Sequence, residues 1–170
     1  MKSPAPTRRH LLQGVPFLGV GLFAGALLLE DGAPARAADG AYRLTDAEWR
    51  RKLTPAQYDV LREEGTEMAF SSPLDEFWKA GTYHCAGCGQ AAYSSRTKFE
   101  SNTGWPSFWQ PLPKAVAERD DSSLGMERTE VHCSRCLSHL GHVFEDGPKP
   151  TGLRYCMNGV ALSFQPGTPA

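Results

Sequence analysis

The sequence predicts a mainly β protein: a small antiparallel β domain with short helices at its N-terminal edge and a metal site as its frame. Three observations predict it. Beyond residue 81, short apolar or aromatic runs alternate with Gly, Pro, Ser and Asn at the spacing of strands and turns. Between residues 45 and 65, two segments open on the same helix-start signature. Four of the five cysteines fall into two Cys-x-x-Cys pairs, at 85 and 88 and at 133 and 136.

The chain has 170 residues, 41% hydrophobic and 22% charged, the balance of one soluble domain rather than a disordered or membrane protein. Its net charge is −1 and no block of basic residues stands out, which argues against a nucleic-acid partner.

Residues 1–37 are expected to be a leader rather than part of the domain. Arg8-Arg9 precedes an apolar run from Val15 to Leu29, and Ala35-Arg36-Ala37 supplies a small-residue cleavage site. This is the pattern of a twin-arginine signal peptide, with export to the bacterial periplasm and 38–170 as the domain left after cleavage. The alternative, an uncleaved anchor, is weaker because a run broken by three glycines and a proline falls short of the ~20 apolar residues a span needs. No cysteine follows the run, which argues against lipid anchoring. Export of an already folded, metal-loaded domain would also keep five cysteines from pairing as disulfides.

The first helix is expected in "TDAEWRRKL" (45–53), where Thr45 and Glu48 can cap each other's backbone donors. The second, in "TPAQYDVLREEG" (54–65), repeats the device with Thr54 and Gln57, places Pro55 at the first helical position and closes on Gly65. A Pro-broken loop, "FSSPLDEFWKAG" (70–81), follows. The strand candidates then come in order as "TYHCAGCG", "AAYSS", "TKFES", "GWPSFW", "MERTEVHC", "GHVFED", "LRYCMN" and "VALSF".

Cys85, Cys88, Cys133 and Cys136 form two knuckles, each presenting two thiolates on one side of a tight turn. Together they suit one tetrahedral, closed and therefore structural Zn²⁺ site. A redox dithiol is the competing reading, disfavoured because no βαβ pattern surrounds either pair. His139 and His142 follow Cys136 at three-residue steps, so a mixed Cys/His site is weighed, but the symmetry of the knuckles favours four cysteines.

Cys156 is left over. If 153–157 is a strand, Leu153, Tyr155 and Met157 share an apolar face, and Arg154, Cys156 and Asn158 a polar one. The apolar phase shifts after Asn158, so Gly159 marks a bulge or turn. A cysteine beside a guanidinium is a candidate low-pKa thiolate; from the strand alone, a buried inert cysteine stands level with it.

"SHLGHVFEDGPKPTGLRYCMN" (138–158), "GWPSFW" (104–109) and the two knuckles, in this order, resemble the methionine-R-sulfoxide reductase family, often called type B, over about residues 49–164. The resemblance implies two antiparallel sheets packed around the site. It makes Cys156 the nucleophile that attacks the sulfoxide sulfur, His142 the preferred proton donor with His139 alongside, and Asn158 the residue that orients the reacting groups. Trp105 becomes the wall that receives the substrate's methyl group. Arg154 is expected beside Trp105 in binding substrate; it either lowers the thiol's pKa or pairs with a neighbour such as Asp146, and both stay open.

The substrate implied is oxidised methionine in proteins or peptides, and the product on the enzyme is a sulfenic acid. Many similar sequences carry a second, resolving cysteine directly before the Gly-Trp, where this chain has Thr103. With four cysteines on zinc, a one-cysteine cycle is expected, completed by an external thiol or a thioredoxin-like protein, in a monomer. Leu137 stands where glycine or aspartate is more usual and puts the local turn in doubt. The reading from a different class is a zinc-framed β binding module with an aromatic cage, which would need neither Cys156 nor His142. A thiol-disulfide exchanger would need one Cys pair free of metal.

Overall fold

The expected capping boxes form the start of the structure, a computed structural model that describes residues 42–170. In α1 (Asp46–Lys52), Glu48 N–H donates to Thr45 Oγ1 at 3.3 Å and Thr45 N–H donates back to the Glu48 carboxylate at 2.7 Å. In α2 (Pro55–Glu63), Thr54 and Gln57 make the same reciprocal pair at 3.1 and 3.2 Å. Each box satisfies donors that a helix start would otherwise leave bare. The end of α2 differs from expectation: Glu64 (φ 59°), not Gly65, takes the left-handed cap. A Cβ at Gly65 would lie 2.4 Å from Asp59 Oδ2 and 3.1 Å from Asp59 O, so a side chain there would have to displace the Asp59 carboxylate.

Nine strands follow: β1 Gly81–Cys85, β2 Ala91–Ser94, β3 Lys98–Phe99, β4 Ser107–Phe108, β5 Val116–Asp121, β6 Arg128–Cys133, β7 His139–Phe144, β8 Arg154–Met157 and β9 Leu162–Pro166. They build two sheets, β2-β1-β9 and β3-β4-β8-β7-β6-β5, with every pairing antiparallel. The two-sheet, mainly β class therefore holds. One strand was not expected: β5 reads VAERDD, is largely solvent-facing and lies at the edge of the larger sheet. With no buried face it carries no alternation to detect, and its charges are what an edge strand needs to resist pairing with another chain.

The sheets meet through aromatic rings. Tyr83 of β1 packs edge-on against Phe108 of β4 with centroids 5.0 Å apart, and Tyr93 of β2 stacks on Phe108 at 4.4 Å. Tyr93 OH donates to Met157 Sδ at 3.0 Å, and all four side chains are fully buried. Helix α2 packs on β7 and on the 3₁₀ turn Gly159–Ala161. Arg62, near its end, donates to the carbonyl of Cys136 and to Ser138 Oγ at 3.3 Å each, tying the helix to the second knuckle. Gly159 sits in that turn with Ser72 against it; a Cβ would fall 1.9 Å from Ser72 Oγ.

Among the described residues no helix is long and apolar enough to cross a membrane. The leader expected at 1–37 lies outside the described residues.

The two knuckles are copies of one turn. Gly89 N–H donates to Cys85 O at 2.8 Å and Leu137 N–H to Cys133 O at 2.9 Å; Cys85 N–H reaches Gln90 O and Cys133 N–H reaches Ser138 O. The residue after each second cysteine is left-handed, Gly89 at φ 76° and Leu137 at φ 58°. The turn doubtful at Leu137 is therefore made, by a side chain that disfavours it. Leu137 is 38% exposed, so replacing it loses little burial. Leu137→Gly should raise the urea midpoint by a net gain of about 0.5–1 kcal/mol, the relief of strain exceeding the entropy of a freer unfolded chain. A lowered midpoint would mean that the leucine packs more than it strains.

Candidate active site

The knuckles place four sulfurs in one cluster, all within 4.8 Å of one another. Cys85 Sγ lies 3.7 Å from Cys136 Sγ, and Cys88 Sγ lies 3.6 Å from Cys133 Sγ. Four thiolates about 2.3 Å from a tetrahedral zinc ion sit about 3.8 Å apart, so the donor set fits one structural Zn²⁺ with no coordination position left for substrate. Neither histidine joins this group. Because Cys85 ends β1 and Cys133 ends β6, the cluster ties the small sheet to the large one.

Cys156 lies in β8, between β4 and β7. Its partners across the sheet are Ser107 on one side and His142 on the other; His142 in turn faces Glu130, and Glu130 faces Arg119. Residues directly opposite in an antiparallel pair project from the same face. One row of polar side chains thus crosses five strands, while Tyr155 and Met157 point into the core. The expected alternation along β8 is met.

Cys156 opens into a pocket of about 150 Å³, shared with Trp105, His142, Asn158, Phe144, Thr66 and Arg128. Four of the expected site residues, Cys156, His142, Asn158 and Trp105, are therefore together. His139 borders the adjoining cavity of about 560 Å³, next to His142, Glu130 and Asp121. Arg154 is outside both: its guanidinium makes a two-pronged pair with Asp146, 2.8 Å at each contact, and lies 4.4 Å over the Phe144 ring. Its charge also draws the Cys156 thiol downward, so both readings of Arg154 hold.

Electrostatics correct one expectation. Burial pushes the Cys156 thiol above its ordinary value, and the opposing effects of Thr103, Arg154 and Ser107 do not overcome it. The resting cysteine is a thiol, not a low-pKa thiolate. His142 is shifted the other way: burial lowers it, with Arg128 and His139 adding to the shift, and the bond to Asp121 opposes them in part. Asp121 Oδ2 accepts from His142 Nε2 at 2.8 Å and from Arg128 at 2.6 Å. The Asp121 carboxyl is held well below the carboxylate range by Ser123, through its side chain and its N–H, and then by His142 and Arg128.

His139 Nδ1 donates to Glu130 Oε1 at 2.7 Å, and its ring meets His142 edge-on, centroids 5.3 Å apart. Burial pushes the Glu130 carboxyl up, but His132, His139 and Arg119 outweigh it and hold it well below its usual range. Each imidazole is thus oriented by its own carboxylate. His139 Nε2 is buried without a hydrogen-bond partner among the described residues.

Sequence reasoning missed the two carboxylates and, most of all, Glu67. Its N–H donates to Asn158 Oδ1 at 2.9 Å, and its carbonyl accepts from Trp105 Nε1 at 3.2 Å. Its carboxylate accepts from Gly159 N–H and Val160 N–H at 2.5 and 2.9 Å. Burial pushes this carboxyl up while the two backbone donors pull it down. Asn158, 3% exposed, also donates from Nδ2 to Leu140 O at 3.2 Å, which fixes its amide and leaves one Nδ2 hydrogen uncommitted. Glu67 lies in irregular chain, where no periodicity could single it out; β5 hid Asp121 for the same reason.

A hydroxyl chain approaches the thiol from the other side. Ser107 Oγ donates to Ser101 Oγ at 2.7 Å, Ser101 and Thr103 hydroxyls are 2.8 Å apart, and Thr103 Oγ1 stands 3.9 Å from Cys156 Sγ.

What kind of protein this is follows from which thiol is left to react. Four are gathered in a closed cluster, and one stands alone in a side-chain-sized pocket beside an oriented imidazole, which makes this a cysteine-dependent oxidoreductase on a zinc-framed β domain. The SelR domain family matches residues 53–166. A peptide methionine sulfoxide reductase MsrB from Leptospira interrogans is 57% identical over 122 residues, 71% of this chain and 93% of that protein. Proteins of the same name from Thiobacillus denitrificans and Methanosarcina barkeri are 58% and 54% identical, over 72% and 75% of this chain and 93% and 91% of theirs. The chain belongs to the SelR-domain family of peptide methionine sulfoxide reductases.

With the other cysteines on zinc, iodoacetamide labelling reports Cys156. Its rate should rise with pH through a midpoint above the ordinary 9.0. Arg154→Met should move that midpoint further up, because the lost positive charge had favoured the thiolate. A wild-type midpoint below 9.0 would contradict the dominance of burial.

Proposed function

We propose that the chain reduces the R epimer of methionine sulfoxide in polypeptides through Cys156. The observation that carries this reading is the cross-strand pairing of the lone thiol with His142 inside one pocket. Trp105 and Phe144 give that pocket apolar surface against which a methyl group can rest, and a shaped wall discriminates between epimers.

Both reacting groups start neutral, the thiol raised and the imidazole lowered by burial. His142 gives Nε2–H to Asp121, so Nδ1 is the nitrogen that exchanges a proton, and the Asp121 carboxylate stabilises the imidazolium. Transfer of the thiol proton to His142 makes the nucleophile and the acid in one step. The thiolate attacks the sulfoxide sulfur and His142 protonates the oxygen, a poor leaving group until then. The oxygen passes to Cys156, methionine leaves, and Cys156 is a sulfenic acid. An external thiol condenses with it, releasing water, and a second thiol restores Cys156 by exchange.

Asn158 and Trp105 hold the substrate, with Glu67 as their positioning residue; His139 supports His142. A cage that only binds ligands has no use for a thiol at its centre. Turnover of N-acetyl methionine-R-sulfoxide amide with dithiothreitol should fall by at least about a thousandfold in Cys156→Ser; persistence of turnover would sink the assignment. Thr103 faces Cys156 where a resolving cysteine stands in similar sequences. Substrate should therefore leave a sulfenic acid in the wild type and a 103–156 disulfide in Thr103→Cys; an intramolecular disulfide in the wild type would refute the one-cysteine cycle.

We also propose export by the twin-arginine route, on the leader at 1–37. Intact mass of the protein from cells should place the N-terminus near Ala38, and an N-terminus at Met1 in the exported fraction would exclude cleavage.

A further inference from the structure

The chain between α2 and β1 has two sides. Along 65–70, Gly65, Glu67 and Ala69 are half-buried while Thr66, Met68 and Phe70 are exposed, the period of an extended strand. The inner side is the Glu67 bracket that holds Asn158 and Trp105. The outer side starts at the catalytic pocket, which Thr66 lines, and runs outward through Met68 and Phe70, 80% and 70% exposed. No other large apolar side chain among the described residues is as exposed as these two.

Phe70 is also left-handed, at φ 61°, a conformation that a bulky residue keeps only where its surroundings enforce it. Its N–H donates to Gly104 O at 2.7 Å. Gly104, itself at φ 87°, has no room for a Cβ, which would fall 2.8 Å from Phe70 Cδ2. The ring therefore rests on the backbone between Thr103 and Trp105, two residues of the pocket's surround. Phe70 also borders a cavity of about 490 Å³ with Ser72, Pro73, Asp75 and Glu76. Adjacent apolar side chains held out into water beside a binding site mark an interaction surface.

Size says what lies there. The catalytic pocket, about 150 Å³, is well below the roughly 300–1,000 Å³ of sites that enclose a whole ligand. It takes one side chain, so the residues flanking an oxidised methionine must lie outside it.

We propose that Met68 and Phe70 form a docking ledge for the polypeptide around the oxidised methionine, receiving an apolar side chain next to it and so favouring peptide-bound over single-residue substrate. This rests on the reductase reading of the same site. The ledge is continuous with the pocket through Thr66 and Gly104, which is why the substrate chain is its occupant.

The test compares kcat/KM, with dithiothreitol as reductant, for N-acetyl methionine-R-sulfoxide amide and for a pentapeptide with leucine on either side of the sulfoxide. Phe70→Asn removes the ring but keeps a residue that tolerates the left-handed backbone. The peptide-to-single-residue ratio should fall about tenfold in Phe70→Asn, less in Met68→Ser, and return in Phe70→Tyr. Both substrates meet the same folded fraction, so partial misfolding cancels in the ratio. An unchanged ratio would overturn the ledge and leave the reductase reading standing. So would a loss that appears only when a dithiol protein replaces dithiothreitol, which would give the surface to the reductant. Failure of the wild type to turn over either substrate would remove the reductase reading, and the ledge with it.

Discussion

Four sulfurs hold the two sheets together at their ends, and the position of everything catalytic depends on that joint. Cys85 closes β1 in the small sheet and Cys133 closes β6 in the large one, and each is followed by the same left-handed turn. Strands of two to six residues bury little area each. Tyr83, Tyr93 and Phe108 are part of one apolar core that reaches from Trp49 to Leu162 and takes in Cys85, Cys133 and Cys136. A tetrahedral metal adds a directional constraint that such a core lacks, and its binding free energy is folding free energy. Once β6 is anchored, β7 and β8 are registered against it strand by strand, which sets His142 opposite Cys156.

The polar row that results alternates in character: thiol, imidazole, carboxylate and guanidinium, from the centre of the sheet to its edge. Burial disfavours charge on the thiol, the imidazole and the Glu130 carboxylate alike; only at Glu130 do the surrounding donors outweigh it. Cys156 and His142 are kept neutral by burial, whereas Asp121 and Glu130 are kept ionised by the donors around them. The edge strand β5 is part of this design. Its polar sequence resists aggregation and also delivers Asp121 to His142 and Arg119 to Glu130.

How much of this was legible in the sequence depended on how local the physics is. The capping boxes at Thr45 and Thr54 and the knuckles are complete within a few residues, and both were readable. So was the alternation of Tyr155, Cys156 and Met157, because one face of β8 is buried and the other is not. The left-handed cap falls on Glu64, one residue before the glycine that signals it, and Gly65 itself has no positive φ. Asp121 and Glu67 were invisible because their roles come from residues 21 and 91 positions away. The sign of the Cys156 shift stays open in the sequence for a related reason. Arg154 is next door but one and visible, while the burial that outweighs it is the sum of many distant contacts.

A raised thiol would suit the export proposed from residues 1–37. A permanent thiolate outside the cytosol would react with any disulfide or peroxide that reached it, since thiolate character governs both exchange and oxidation. Cys156 rests protonated beside an unprotonated imidazole, and the pair becomes reactive only by passing one proton between its own members. A sulfoxide oxygen is a strong acceptor for that proton once it is on His142, and other oxidants of the thiol lack a methyl group to rest on Trp105 in the same pocket. The burial that raises the Cys156 thiol disfavours its thiolate and so slows adventitious reactions of that sulfur.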